Sequence, residues 1–296
     1  MAKNRSNPSA KEKTKSVVKE IAINFFVLFI IISSVIQASR VPTPSMETTI
    51  KVGDFLLINK FLYGLSTPKY VPFTNVRLPY YQLPAFKEPQ KNDIVVFEYP
   101  GDRDVLYCDS VNFYVKRLIG CPGDTVNIVN RLVYVNDKRF PIPVHVQYAR
   151  NFTLPAGYTL PDMFPAGCGW NPDNYGPLIV PKKGDVIELT AGNIEKWRTL
   201  IDREQGGKPV VSVTNGVVMI NGKPVDHYTI EKDYYFMLGD NRDNSEDSRF
   251  WGFVPRDKII GTPMIIHFSW DPSVPFTEPL KLVESIRWDR LMKIPR

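Results

Sequence analysis

Residues 238–255 read LGDNRDNSEDSRFWGFVP, a densely charged stretch between two apolar runs. An apolar run at 234–238 precedes it, and the bulky side chains of 250–255 close it. An ordinary surface turn needs one or two polar residues, so this composition predicts a polar network held against a buried wall. Its six charged side chains are Asp240, Arg242, Asp243, Glu246, Asp247 and Arg249.

The composition of the chain allows a sizeable globular core. The chain has 296 residues, of which 43% are hydrophobic, enough for one large domain or for a domain with a sizeable insertion. The net charge is +6, but the first twenty residues hold six basic and two acidic side chains. The remainder is close to balanced, so nucleic-acid binding is not indicated.

Three cysteines, Cys108, Cys121 and Cys168, are spaced without a C-x-x-C pair. This spacing predicts neither a metal site nor a redox motif. Two arrangements stay open, namely one disulfide with one free thiol, or three buried free thiols.

Residues 21–39, IAINFFVLFIIISSVIQAS, carry no charge. As a helix they would span roughly 28 Å, close to the hydrocarbon thickness of a bilayer. A cleaved signal peptide is the alternative. It is disfavoured because the stretch exceeds the roughly 7–15 residues of a secretory apolar region and no small-x-small pair closes it. The sequence predicts one uncleaved transmembrane anchor, with the basic tail 1–20 in the cytoplasm and the rest outside.

The exported part reads as short strands separated by turns, and therefore as mostly β. Two similar hairpins, LVYVNDKRF at 132–140 and VVMINGKPV at 217–225, have Asn-Asp and Asn-Gly at their turns. The residues between them, with one short helix near 193–204, read as an inserted smaller β-rich lobe. The expected order is a catalytic domain at 40–130, the lobe at 131–212, the second catalytic part at 213–270 and a C-terminal extension at 271–296.

Residues 65–89 are rich in proline and aromatic side chains. The prolines exclude a helix or a central strand. Two interpretations stay open: a loop that covers the domain, or a loop that dips into the bilayer interface, where Tyr and Phe are favoured.

The catalytic arrangement that the sequence favours is a serine nucleophile with a lysine base. The three histidines lie in unsuggestive contexts, and no HExxH, P-loop, GxGxxG or calcium-loop pattern occurs. Ser45 follows Pro42 and Pro44 directly after the anchor. Lys116 lies between Tyr114 and Leu118 on one face of a predicted strand. Burial there would disfavour the ammonium. Lowering the pKa of Lys116 from about 10.4 to about 7–8 corresponds to a free energy of roughly 4 kcal/mol in favour of the neutral amine.

Three motifs in this order resemble the bacterial type I signal peptidases (leader peptidases), in their longer Gram-negative form. They are PSM at 44–46, VKRLIGCPGD at 115–124 and GDNRDNSEDSRFWGFVP at 239–255. The resemblance covers the anchor to about residue 130 and again about 210–270, and it covers the inserted lobe more loosely.

The resemblance implies a role for each matching residue. Ser45 matches the nucleophile and Lys116 the general base. The oxyanion would be held by the Ser45 backbone N–H and the Thr43 hydroxyl. Ser245 matches a serine that aims the lysine amine. Asp247 and Arg249 match an ion pair that fixes the segment.

The implied reaction is removal of N-terminal signal peptides from preproteins, after a small-x-small segment, through an acyl-enzyme and without a cofactor or metal. The implied place is the cell (inner) membrane, single-pass, with the catalytic domain on the outer, periplasmic side. Expected partners are preprotein signal peptides and the lipid bilayer, with the secretion translocon as a further candidate and no nucleic acid. Two alternatives stay open: a membrane-tethered Ser/Lys protease of the repressor-autocleavage type, or a catalytically silent secretion-associated scaffold.

Overall fold

The structure, a computed structural model, describes residues 10–67, 79, 81–106, 112–275 and 277–295. Cys108 and residues 68–78 and 80 of the Pro-rich segment lie outside the described residues, whereas Cys121 and Cys168 are free thiols. The helices are α1 Ala10–Val35, α2 Ile194–Glu204, α3 Ser248–Trp251 and α4 Pro279–Glu284. The strands are β1 Ile36–Arg40, β2 Asp54–Asn59, β3 Ile94–Glu98, β4 Phe113–Gly120, β5 Thr125–Val129, β6 Leu132–Val135, β7 Lys138–Arg139, β8 Tyr175–Ile179, β9 Val186–Glu188, β10 Val211–Thr214, β11 Val217–Ile220, β12 Lys223–Pro224, β13 His227–Thr229, β14 Tyr234–Leu238, β15 Val254–Pro255 and β16 Ile259–Ser269.

The fold is mostly β, as the sequence predicts, and its largest element is a seven-stranded sheet. The strand order is β1-β2-β16-β3-β4-β14-β15. Within the described sheet, two antiparallel groups, β1-β2 and β3-β4-β14-β15, are therefore joined by β16, the last of the described strands. Each face of the sheet packs a separate cluster, with Leu56, Ile58 and Ile266 in one and Val95, Leu118 and Val254 in another.

Three smaller sheets account for the remaining strands. They are β7-β6-β5-β8, β10-β11-β12 and the pair β13-β9. Both predicted hairpins and the short helix are confirmed, with positive φ angles at Asn136, Asp137 and Asn221 in the turns. These strands run from residue 125 to 229, and the lobe boundaries of 131–212 stay a prediction. The smaller sheets share one core cluster with Ile119, Phe236 and Leu238 of the large sheet.

The predicted anchor differs from the structure at its C-terminal end. A helix through residue 39 was expected, but α1 ends at Val35 and Ile36–Arg40 form β1. The reason is that these residues pair in register with β2, Ile36 opposite Asn59 and Arg40 opposite Phe55, so their backbone groups are satisfied across the sheet. Within the described residues, none of the helices has both the length and the apolar character needed to cross a membrane.

The two ends of the Pro-rich segment lie side by side. Ser66 bridges Gln82, and the Thr67 N–H donates to the Tyr81 carbonyl at 2.9 Å. Tyr81, Leu83 and Phe86 are exposed, and Phe86 stacks on Phe61 at a centroid distance of 4.3 Å. In the described part of the segment, residues 66–67 therefore pair with residues 81–82, and residues 81–86 present apolar side chains to the surface.

Candidate active site

Ser45 lies in the turn that connects β1 to β2. The Glu47 N–H donates to the Pro44 carbonyl at 3.0 Å, and the Ile50 N–H donates to the Met46 carbonyl at 2.9 Å. Met46 and Ile50 are buried among apolar residues of β2, β3 and β16. The turn is therefore clamped to the large sheet by its apolar side chains, and Ser45 itself is buried.

Lys116 lies near the middle of β4, between β3 and β14. Its side chain is 2% exposed, and Nζ lies 5.8 Å from the centroid of the Tyr114 ring. Tyr114 stacks on Tyr99, which in turn meets the Trp251 ring edge to face. This aromatic wall excludes water, and burial lowers the pKa of Lys116 from 10.5 to about 8, against the opposing pull of Asp247.

A chain of hydrogen bonds leads from Lys116 into the polar segment between β14 and α3. Lys116 Nζ donates to Ser245 Oγ at 3.1 Å, and Ser245 Oγ donates to Asp247 Oδ2 at 2.9 Å. Because the serine gives its proton to the carboxylate, it offers the amine a lone pair. The amine is thus oriented by a donor bond and keeps its own lone pair for another group.

Asp247 and Arg249 form a fully buried, two-pronged ion pair. Nε and Nη2 of Arg249 each donate to one carboxylate oxygen of Asp247 at 2.8 Å. Asp247 also accepts from the Gly239 N–H at 3.1 Å, and it caps α3. Burial raises the pKa of Asp247, but the charge of Arg249 and its hydrogen bonds outweigh this, so the pKa is lowered and the carboxylate stays ionised.

One cleft of about 730 Å³ brings most of these groups together. Thr43, Ser45, Lys116 and Ser245 line it, so residues from three distant parts of the sequence meet there. Asp247 and Arg249 lie behind the cleft, where they hold Ser245. Thr43 is exposed at the mouth, two residues before Ser45.

A second buried ion pair was not predicted from the sequence. Arg117 donates to Asp240 through Nε at 2.8 Å and Nη2 at 2.7 Å, and Asp240 Oδ2 also accepts from Thr49 Oγ1 at 2.5 Å. Asp240 therefore ties the strand of Lys116 to the turn of Ser45. The available signal was Arg117 on the opposite face of a buried strand, where a guanidinium requires a carboxylate.

Asn241 and Gly239 were also missed. The Asn241 N–H donates to the Ser45 carbonyl at 3.0 Å, and its side-chain amide donates to the Pro44 carbonyl at 3.2 Å. A Cβ placed on Gly239 would lie 2.1 Å from Ser245 Oγ and 2.5 Å from the Ser45 carbonyl oxygen. The glycine thus permits the turn and the polar segment to touch.

A mostly β protein in which a serine and a buried lysine of low pKa line one cleft falls in the class of serine hydrolases. The model of the family described as signal peptidase, peptidase S26 matches residues 14–268. The chain therefore belongs to the signal peptidase, peptidase S26 family.

Similar proteins include signal peptidase I of Buchnera aphidicola subsp. Baizongia pistaciae, 31% identical over 271 residues, which cover 86% of this chain and 77% of that protein. Signal peptidase I of Pseudomonas aeruginosa is 29% identical over 294 residues, covering 92% and 81%. A crystal structure of a signal peptidase I from Enterococcus faecalis V583 has 22% identity and a TM-score of 0.29, covering 60% of this chain and 97% of that one.

Proposed function

We propose that the protein is a serine endopeptidase that removes N-terminal signal peptides from exported preproteins, with Ser45 as nucleophile and Lys116 as general base. The observation that carries the proposal is the buried Lys116 amine, which has a pKa of about 8 and lines one cleft with Ser45. An amine of this pKa is neutral often enough near neutral pH to accept a proton.

The proposed reaction begins when the lone pair of Lys116 takes the hydroxyl proton of Ser45. Ser45 Oγ attacks the carbonyl carbon of the scissile bond, and the backbone N–H of Ser45 and the hydroxyl of Thr43 stabilise the oxyanion. The ammonium of Lys116 returns its proton to the leaving amine, which gives an acyl-enzyme. Lys116 then takes a proton from a water molecule, whose oxygen attacks the acyl carbon. The ester bond to Ser45 Oγ breaks, Lys116 returns the proton to Ser45 Oγ, and the signal peptide leaves.

Ser245, Asp247 and Arg249 are proposed to support the base. The bond from Nζ to Ser245 Oγ fixes the direction of the amine, and the ion pair behind it fixes Ser245. A neutral hydrogen-bond partner suits this task, because a carboxylate in direct contact with Nζ would stabilise the ammonium and remove the base.

Family membership and the apolar stretch in the sequence support a further proposal on substrate specificity and setting. We propose cleavage after a small-x-small segment next to the membrane, with apolar residues from 21 onward as a single anchor and the basic tail in the cytoplasm. The catalytic parts 40–130 and 213–270, the inserted lobe and the C-terminal extension would then lie on the outer side of the inner membrane. The bilayer and the translocon are the proposed neighbours.

The test is incubation of the purified full-length protein with a preprotein, followed by sequencing of the new N-terminus. Cleavage after a small-x-small segment by the wild type, and none by Ser45→Ala or Lys116→Arg, is the expected result, because guanidinium cannot act as a base. If either variant retained more than about a hundredth of the wild-type rate, the dyad would be wrong. Cleavage only of the protein itself or of one partner would favour the repressor-type alternative.

A further inference from the structure

The C-terminal extension lies beyond the residues that match the family model, yet it packs against the turn that carries Ser45. We propose that Arg290, in this extension, is a positioning residue for the nucleophile. The inference deepens the proposed function and rests on it, since it assigns to Arg290 a task in the cleavage step.

The extension is hydrogen-bonded along the C-terminal half of β16. The Arg287 N–H donates to the Ser269 carbonyl at 2.9 Å, the Met292 N–H donates to the Ile266 carbonyl at 2.7 Å, and the Ile266 N–H donates to the Lys293 carbonyl at 2.8 Å. These bonds hold the segment that carries Arg290 against β16. Arg290 is only 7% exposed there.

Arg290 makes a two-pronged ion pair with Asp54, the first residue of β2. Nε donates to Oδ1 at 2.9 Å and Nη2 donates to Oδ2 at 2.5 Å. Asp54 is fully buried, and it also accepts from the Lys51 N–H at 2.8 Å and from Ser269 Oγ at 2.7 Å. The carboxylate therefore holds the guanidinium in a defined plane.

From that plane Arg290 contacts the nucleophile turn itself. Nη2 donates to the main-chain carbonyl of Thr49 at 3.1 Å. Thr49 is four residues after Ser45, and its hydroxyl donates to Asp240 at 2.5 Å on the other side. The end of the turn is thus held from two directions, by the polar segment and by the extension.

Loss of the Arg290 contact would release the Thr49 carbonyl and let the turn shift as a unit. Apolar packing of Met46 and Ile50 would still keep the turn on the sheet. A displacement well under the width of an atom is enough to disturb attack geometry, because misplacement by about 1 Å costs about 10²-fold in rate. The effect should appear in the bond-making step rather than in substrate binding.

The same extension offers a matched control. Arg287 donates through Nη1 to the carbonyl of Val52 at 2.8 Å, in the same connection but next to β2 and further along the chain from Ser45 than Thr49. Arg290→Lys keeps a positive charge beside Asp54 but lacks the planar fork that reaches both Asp54 and Thr49. Arg287→Lys makes the same chemical change at a main-chain contact further from Ser45, at the β2 end of the connection.

The experiment measures kcat, KM and the pH–rate profile of full-length wild type, Arg290→Lys and Arg287→Lys on a peptide with a small-x-small site. Rates are normalised to the fraction folded, taken from a urea titration at the assay temperature. For Arg290→Lys we expect kcat to fall by about tenfold or more, with KM within about twofold. The acidic limb of the pH–rate profile, where activity falls as Lys116 is protonated, should stay at the same pH because Lys116 is unchanged. Arg287→Lys should match the wild type within about twofold.

Each outcome decides the matter. If Arg290→Lys loses rate only in proportion to its folded fraction, or if both variants lose rate equally, the extension stabilises the fold without positioning Ser45. Either result overturns the inference. If the acidic limb moves instead, Arg290 acts on the base rather than on the nucleophile, which also overturns it. A wild type that does not cleave the peptide would refute the proposed function, which is a separate result.

Discussion

Lys116→Met tests the burial of the base independently of catalysis. Methionine fills a similar volume without the amine, so the variant should fold and be inactive. Lowering the pKa of a lysine from 10.5 to about 8 corresponds to about 3 kcal/mol of free energy against the ammonium in the folded state. Below pH 8 the folded wild type holds this unfavourable ammonium, and above pH 8 the amine gives up its proton instead.

The sign of the pH dependence is fixed by the direction of the shift. Between pH 8 and 10.5 the unfolded chain binds more protons than the folded one, so wild-type stability should rise with pH in this window. Relative to Lys116→Met, the wild type should be penalised by about 3 kcal/mol at pH 7 and by less than about 1 kcal/mol at pH 10. The lost bond to Ser245, worth about 0.5–1.5 kcal/mol, adds an offset that does not vary with pH.

The assay is urea unfolding of both proteins in the same detergent at several pH values from 7 to 10. Tyr63, Tyr99 and Tyr234 also titrate abnormally, because burial raises each phenol pKa. The difference between the two proteins removes these contributions, since both contain the same tyrosines. A difference in unfolding free energy that is flat across this range would show that Lys116 is solvated, and the assignment of Lys116 as a neutral base would fail.

Three further changes test the other groups at the cleft. Thr43→Val should lower kcat by roughly 10²–10³ with little change in KM, whereas Thr43→Ser keeps the hydroxyl; steady-state kinetics on a small-x-small peptide decide this. Ser245→Ala should lower kcat about tenfold and move the acidic limb to higher pH as water reaches Lys116; a limb that stays put would make Ser245 a brace only. Asp247→Asn leaves Arg249 buried without its partner and should lower the urea unfolding free energy by about 3–5 kcal/mol; a loss below about 1 would contradict its burial.

The predictions that agree with the structure rest on short-range patterns. Alternation along VNFYVKRLIG places Lys116 beside Tyr114 in a β-strand, and Asn-Asp and Asn-Gly mark the two hairpin turns. The polar segment predicted a network against a buried wall, and the structure has Ser245 and Asp247 in one hydrogen-bonded chain. Their roles in catalysis came from the family resemblance and stay a proposal.

The features that were missed depend on pairings across the fold. Arg117 and Asp240 are 123 residues apart, and Arg290 and Asp54 are 236 residues apart. No local spacing indicates which carboxylate a buried guanidinium will find, because the choice is set by strand order. The end of α1 was misplaced for a similar reason, since residues 36–39 continue an uncharged run but pair with β2.

The order of strands in the large sheet also bears on when the protein becomes active during its own synthesis. β16 is made last, yet it lies between the hairpin next to Ser45 and the strands that carry Lys116. A nascent chain that has not yet released residues 259–269 can form each half separately but has no strand to register one against the other. The strand order therefore predicts that a nascent chain does not cut before residues 259–269 have left the ribosome.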